Sequence, residues 1–196
     1  MRSFRLHDQL DAVLYQDWLP PECADALYQD ALLLPWHHDE LMMFGKKIVT
    51  QRQVVWLGDP GTTYRYAGTT HHPIAWSALL SQITRRLNAA FDLNLNSALG
   101  NFYANGTQAM GYHQDNEPEL GQAPTIAALS LGAERPLLFR HKASGHRVTV
   151  PLPHGSLLLM YGNSQTEWQH ALPKRMKITT PRINFTFREI VRNEGT

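Results

Sequence analysis

Gly111-Tyr112-His113-Gln114-Asp115 carries the densest chemistry in the chain. On an extended strand alternate side chains share a face, so His113 and Asp115 project to the same side. An imidazole and a carboxylate placed this way can hold two neighbouring positions on one metal. A third ligand from a distant histidine would make a facial triad and leave the other octahedral positions open. The chain has ten histidines. His170, in Trp168-Gln169-His170, is the expected third ligand, because the strands before it allow a jelly roll to return over His113. His37, His38, His71 and His72 lie in turn-like polar stretches and are expected at the surface. A His-x-Asp pair is a weak motif by itself, and a zinc hydrolase could use the same three residues.

A second pattern narrows the choice. In Pro181-Arg182-Ile183-Asn184-Phe185-Thr186-Phe187-Arg188, four polar residues alternate with three apolar ones. Period-two alternation puts Arg182, Asn184, Thr186 and Arg188 on one face of a strand. Two arginines facing into a barrel are costly unless an anion neutralises them. A small dicarboxylate would do so, since a guanidinium matches a carboxylate in bidentate geometry. An exposed edge strand with its polar face in water is the competing explanation.

The elements that must position these groups change character along the chain. Pro20-Pro21 opens an expected helix with Ala24, Leu27, Ala31 and Leu34 on its apolar face, ended by Pro35. A second helix is expected after Pro73, with Trp76, Leu80, Ile83, Leu87 and Phe91 at helical spacing. From Leu99 onward short β-prone stretches follow one another, at 98–104, 110–114, 125–131, 136–141, 147–152, 155–161 and 182–191. Closely spaced strands with few helices indicate a sandwich or jelly roll buttressed by N-terminal helices. No repeat or linker divides the chain. The expectation is one domain over 1–196, with helical support and a recognition lid in 1–97 and the β core in 98–196.

Of the 196 residues, 43% are hydrophobic, which suffices for one buried core. No apolar run approaches the roughly 18 residues needed to cross a bilayer. Met1–Tyr15 holds no apolar signal core. Cys23 is the single cysteine, so no internal disulfide forms and a reducing compartment fits. The expected setting is cytoplasmic: nucleoid-associated, or nuclear in a eukaryote. Residues 1–40 carry net charge −6 and residues 41–196 carry +7. A basic body suits a polyanionic partner.

Taken in order, His113-x-Asp115, His170 and Arg182-x-Asn184-x-Thr186-x-Arg188 resemble the AlkB family of Fe(II)/2-oxoglutarate-dependent dioxygenases, closest to the branch that repairs alkylated DNA. The resemblance extends to Asn101-Phe-Tyr103, Ile126-Ala-Ala-Leu-Ser-Leu-Gly132, Phe139-Arg-His-Lys142 and Leu152-Pro-His-Gly-Ser-Leu157. It implies a double-stranded β-helix with iron bound by His113, Asp115 and His170. It also implies 2-oxoglutarate contacts from Asn101, Tyr103, Arg182, Thr186 and Arg188, with Asn184 on the same strand and Arg182 at the distal carboxylate. O₂ is the other cosubstrate. The implied reaction is oxidative demethylation of N1-methyladenine and N3-methylcytosine, releasing succinate and formaldehyde, by a monomer with DNA (or RNA) as its partner; the alternatives are the same chemistry on RNA or protein, or a non-catalytic nucleic-acid-binding protein of this family.

Two N-terminal segments suit a base drawn out of its stack. Tyr64-Arg65-Tyr66 offers two aromatics on one face of an extended stretch. Met42-Met43-Phe44-Gly45-Lys46 sets apolar side chains beside a glycine turn and cations, as an intercalating finger would. Packing within a lid or a buried hairpin would use similar residues. By the resemblance, Phe44, Gly45 and Lys46 form the finger, Tyr64 and Tyr66 the lid, and Arg52, Asn116 and Glu117 further substrate contacts. Asn116 departs from the family, which often has an acid there.

Overall fold

The computed structural model describes residues 2–43, 46–66 and 69–191, with side chains described outside 41–48 and 64–71. Eight strands form a large sheet: β1 (Ser3–His7), β2 (Leu10–Tyr15), β3 (His37–Met43), β4 (Lys46–Gly58), β7 (Ser97–Tyr103), β9 (Ile126–Gly132), β12 (Leu157–Met160) and β14 (Arg182–Arg188). Their spatial order is β1-β2-β12-β9-β14-β7-β4-β3. Four more, β8 (Met110–His113), β10 (Arg135–His141), β11 (Arg147–Leu152) and β13 (Trp168–Leu172), make a small sheet in the order β11-β10-β13-β8. A separate pair, β5 (Tyr64–Tyr66) and β6 (Thr69–His71), joins antiparallel. The architecture is a jelly roll with two helices, as the strand spacing predicts.

Both faces of the large sheet are covered. On one side lie α1 (Pro21–Leu32) and α2 (Ala78–Phe91). Ala24, Leu27 and Ala31 of α1 and Leu80 and Leu87 of α2 pack there with Ala127, Leu129 and Leu131 of β9 and with Ile183, Phe185 and Phe187 of β14. On the other side the small sheet closes a second core. Ile126 and Ala128 of β9 meet Leu158, Phe139, Val150, Leu152 and Trp168. Alternate residues of β9 therefore belong to different cores, as the two-residue pleat requires. Phe185 and Phe187 are wholly buried, and each contributes about 2–3 kcal/mol by leaving water.

The helix boundaries follow local chemistry. Pro21 occupies the first turn of α1, where its missing N–H costs nothing. The second helix begins at Ala78 rather than directly after Pro73, because the Ser77 hydroxyl accepts from the Leu80 N–H at 3.2 Å and caps it. Trp76 thus stands outside the helix. Its Nε1 donates to Asp59 at 2.9 Å and its ring stacks on Phe187.

The N-terminal half contributes more strand than its sequence suggests, since β1 to β4 extend the large sheet at both ends. His37 and His38 are exposed as expected, yet they sit on β3 rather than in a turn. Residues 168–172 also form a strand, β13, paired on both sides. Strand β14 lies between β9 and β7, which removes the edge-strand alternative. No helix among the described residues is long and apolar enough to cross a membrane.

Candidate metal centre and anion pocket

The backbone register brings the three predicted ligands together. His113 closes β8 and lies opposite His170 of β13, with ring centroids 4.3 Å apart. Asp115 sits just beyond the end of β8, where its N–H would have no ladder partner. Gln165, wholly buried in the short turn Gly162–Gln165, supplies one: its Oε1 accepts from the Asp115 N–H at 2.9 Å. One ligand atom from each of His113, Asp115 and His170 lies within 4.8 Å of the others. Among the described residues this is the one group of three or more potential ligands so gathered.

The protonation pattern fits a cation. Nδ1 of His113 lies 2.9 Å from the Gly111 carbonyl, so a proton there leaves the Nε2 lone pair free, 3.9 Å from Oδ1 of Asp115. The second carboxylate oxygen, Oδ2, accepts from Nη2 of Arg188 at 3.2 Å. Burial raises the Asp115 pKa, but Arg188 and then the two imidazoles outweigh it, so the carboxyl lies below its ordinary value. Burial, reinforced by His113, pushes His170 down to about 4, which keeps it a neutral ligand near pH 7. Its Nδ1 is buried with no hydrogen-bond partner among the described residues.

Beside the triad opens a cavity of about 120 Å³. Its polar wall is β14 with β7 alongside: Arg182, Asn184, Thr186 and Arg188 face inward, as do Asn101 and Tyr103. Arg182 pairs across the ladder with Tyr103, and Asn184 with Asn101. The apolar wall includes Leu99, Ala128, Leu137, Leu152, Met160 and Leu172. Nη2 of Arg182 donates to Ser130 Oγ and to Asn184 Oδ1, both at 3.0 Å, while its Nε is buried without a partner. Burial lowers the Arg182 pKa to about 10, as expected of a cation with no counter-ion among the described residues. Burial likewise raises the Tyr103 pKa, so its phenol stays protonated and able to donate. Thr186 is committed to the wall: its hydroxyl donates to Leu99 O at 3.2 Å and accepts from Arg188 at 3.0 Å. An incomplete cation next to three oxygen- and nitrogen-bearing ligands fits a divalent metal with a small dicarboxylate.

The predicted substrate contacts divide. Arg52 lines the same cavity, buried, with Nε donating to Asn101 Oδ1 at 2.7 Å. Glu117 lines the cavity, whereas Asn116 is exposed and outside the cavity wall. Phe44 and Gly45 lie outside the described residues, as do the side chains of Lys46, Tyr64 and Tyr66. Sequence reasoning missed Gln165 and Ser130. Each acts through a partner far away in the chain, and no spacing rule marks such residues.

Comparison with known proteins agrees with this geometry. A family model described as the 2OG-Fe(II) oxygenase superfamily matches residues 11–188. The human protein named DNA oxidative demethylase ALKBH2 is 39% identical over 159 residues, covering 77% of this chain and 61% of that protein. Human alpha-ketoglutarate-dependent dioxygenase alkB homolog 3 is 33% identical over 184 residues, covering 89% of this chain and 61% of that protein. The chain thus spans about three-fifths of the length of these relatives. The solved structure of OsALKBH1 superposes with a TM-score of 0.66 at 17% identity, covering 93% of this chain and 98% of that one, and shares its fold.

Proposed function

The chain belongs to the AlkB proteins of the 2OG-Fe(II) oxygenase superfamily, and from that premise we propose that it is an oxidative demethylase of alkylated bases in DNA. One observation carries the reading. A His-Asp-His cluster and a buried arginine with no counter-ion among the described residues share a single cavity. A zinc hydrolase would have no use for the arginine.

His113, Asp115 and His170 would hold Fe(II), and Arg182, Tyr103 and Asn101 would bind 2-oxoglutarate at its distal carboxylate and along its chain. When bound, iron and cosubstrate supply the activation of O₂ and the oxidation of the alkyl carbon. The protein's share is orientation and dryness. Arg188 fixes the second oxygen of Asp115, so the first stays turned toward the metal position. The apolar wall from Leu99 to Leu172 keeps water from the oxidant. A hydroxymethyl group left on a ring nitrogen then breaks down to formaldehyde and the unmodified base, so no acid or nucleophile is required from the chain.

The base would enter past Glu117, which lines the cavity. Arg52, held against Asn101, contributes from the cavity side, and Asn116 touches the flanking strand from outside. Phe44, Gly45 and Lys46 act as the finger and Tyr64 and Tyr66 as the stacking lid, in a monomer acting within the cytoplasm or nucleus. The test is formaldehyde and succinate release with Fe(II), ascorbate and 2-oxoglutarate. The substrates are N1-methyladenine and N3-methylcytosine in single-stranded DNA, duplex DNA and RNA. Equal yields of both products on methylated DNA are expected. Succinate without formaldehyde on every nucleic acid would remove the substrate assignment, and neither product would remove the chemistry.

A further inference from the structure

Arg135 begins β10, is fully buried, and is absent from the cavity wall. Its guanidinium lies 5.9 Å from the centre of the Tyr103 ring, and that of Arg182 lies 5.8 Å from the same ring. Two buried cations thus lie near one phenol, and the buried Arg52 is a third positive charge acting on it. Among the described residues, no carboxylate lies within ion-pair distance of either. Arg135 is partly compensated by three backbone carbonyls: Asn105 at 3.3 Å, Gln108 at 2.9 Å and Pro173 at 2.7 Å. Its Nε is buried with no partner. Carbonyl dipoles solvate the charge without cancelling it. The Tyr103–Arg182 end of the cavity therefore carries, from Arg135 behind the wall, positive charge beyond that of the arginines that line it.

That excess has a use. A 2-oxo acid whose far end is a methyl group gains nothing from it, whereas one ending in a carboxylate is drawn in by both cations. Resting on the cosubstrate reading above, we propose that Arg135 is a positioning and specificity-determining residue. Through Tyr103 it makes the site select a dicarboxylate over a monocarboxylate of equal length. The same fork ties the loop after β7 to the residue that follows β13, so it also holds Tyr103 in register with Arg182. A purely structural staple would need the fork but not the charge.

Binding separates these roles. The full chain is loaded with Mn(II), and dissociation constants are measured for 2-oxoglutarate and for 2-oxopentanoate, which has a methyl group in place of the distal carboxylate. Melting temperatures are recorded for each variant. Arg135→Gln should weaken 2-oxoglutarate by about tenfold, the order expected of one charge acting through a partly polarisable interior, and change 2-oxopentanoate less than about twofold. Arg135→Lys, which keeps the charge and loses the three-carbonyl fork, should retain most of the preference even at a lower melting temperature. If Arg135→Gln does not fold, Arg135→Lys decides alone: preference kept supports the proposal, preference lost overturns it. Equal weakening of both acids, or no change for 2-oxoglutarate, reduces Arg135 to a staple and overturns it. Arg182→Gln guards the underlying reading. If wild type and Arg182→Gln treat the two acids alike, the cosubstrate assignment falls, and the proposal with it.

Discussion

Arg188 and Asp115, 73 positions apart in the chain, meet in a buried contact of 3.2 Å between Nη2 and Oδ2. Arg188 lines the anion pocket and Asp115 belongs to the His-Asp-His cluster, so this contact joins the two halves of the site. Removing one partner of a buried pair leaves a charge without its counter-ion, which costs about 3–5 kcal/mol. Arg188→Met should therefore lower both the melting temperature of the metal-free protein and its affinity for Mn(II). Asp115→Asn in the same chain should recover part of the stability but none of the metal affinity. Additive losses in the double mutant would mean that the two residues are not coupled.

Asp115→Ala should abolish turnover, because losing one ligand of three removes both charge and geometry at the metal. Excess chelator should do the same to the unaltered chain. Added Fe(II) should restore activity and Zn(II) should not. Full turnover in chelator would exclude iron.

Arg182→Lys should raise the apparent KM for 2-oxoglutarate by about tenfold or more. A lysine cannot bind Ser130 and Asn184 and still present a planar fork to a carboxylate. Succinate formation at increasing 2-oxoglutarate checks this. An unchanged KM there, with a raised one in Arg188→Lys, would move the anchor to the other arginine.

Acid should destabilise the metal-free protein through His170. Its folded pKa of about 4 lies below the ordinary 6.5, so between these values the unfolded chain takes up a proton that the folded chain refuses. The stability this group provides is complete above about pH 6.5 and is lost as pH falls toward 4. The change is on the order of 3 kcal/mol. Urea midpoints at pH 7 and pH 4.5 should differ accordingly, and His170→Gln should shrink the difference. Staying above pH 4.5 keeps the titration of Asp115 largely out of the comparison. An identical slope in the mutant would contradict the assignment.

Phe44→Ala tests the finger. Unstacking costs a few kcal/mol in a duplex and much less in a single strand, and an apolar wedge offsets part of that. Formaldehyde release should fall strongly on a methylated duplex and only slightly on the same lesion in a single strand. Equal losses with a lowered melting temperature would assign Phe44 to packing instead.

How far the sequence led depended on how each strand is buried. Alternation exposed β14 because Ile183, Phe185 and Phe187 enter the core under the helices while the intervening residues face the cavity. It exposed His113 and Asp115 as well, although the strand stops at His113 and Gln165 takes over from the ladder. Alternation was silent for β13, where four of the five residues from Trp168 to Leu172 are buried whichever way they point. Leu10, Ala12 and Leu14 of β2 do alternate, but inside a stretch whose charges obscured the pattern. Gln165 could not be found at all, because its contact with Asp115 is set only by tertiary structure.

The wholly buried strand β14 also bears on how such a protein can diversify. Its odd-numbered residues are fixed by the helix layer and its even-numbered ones by the ligand wall, so neither set is free to vary alone. A helix-side substitution there shifts the very backbone that aims Arg182. Inherited change should accordingly gather at exposed positions such as Asn116, which lies outside the cavity wall, where side chains can be exchanged without disturbing that strand. On the proposed function, new lesions would be recruited by altering the entrance while the oxidation machinery stays fixed.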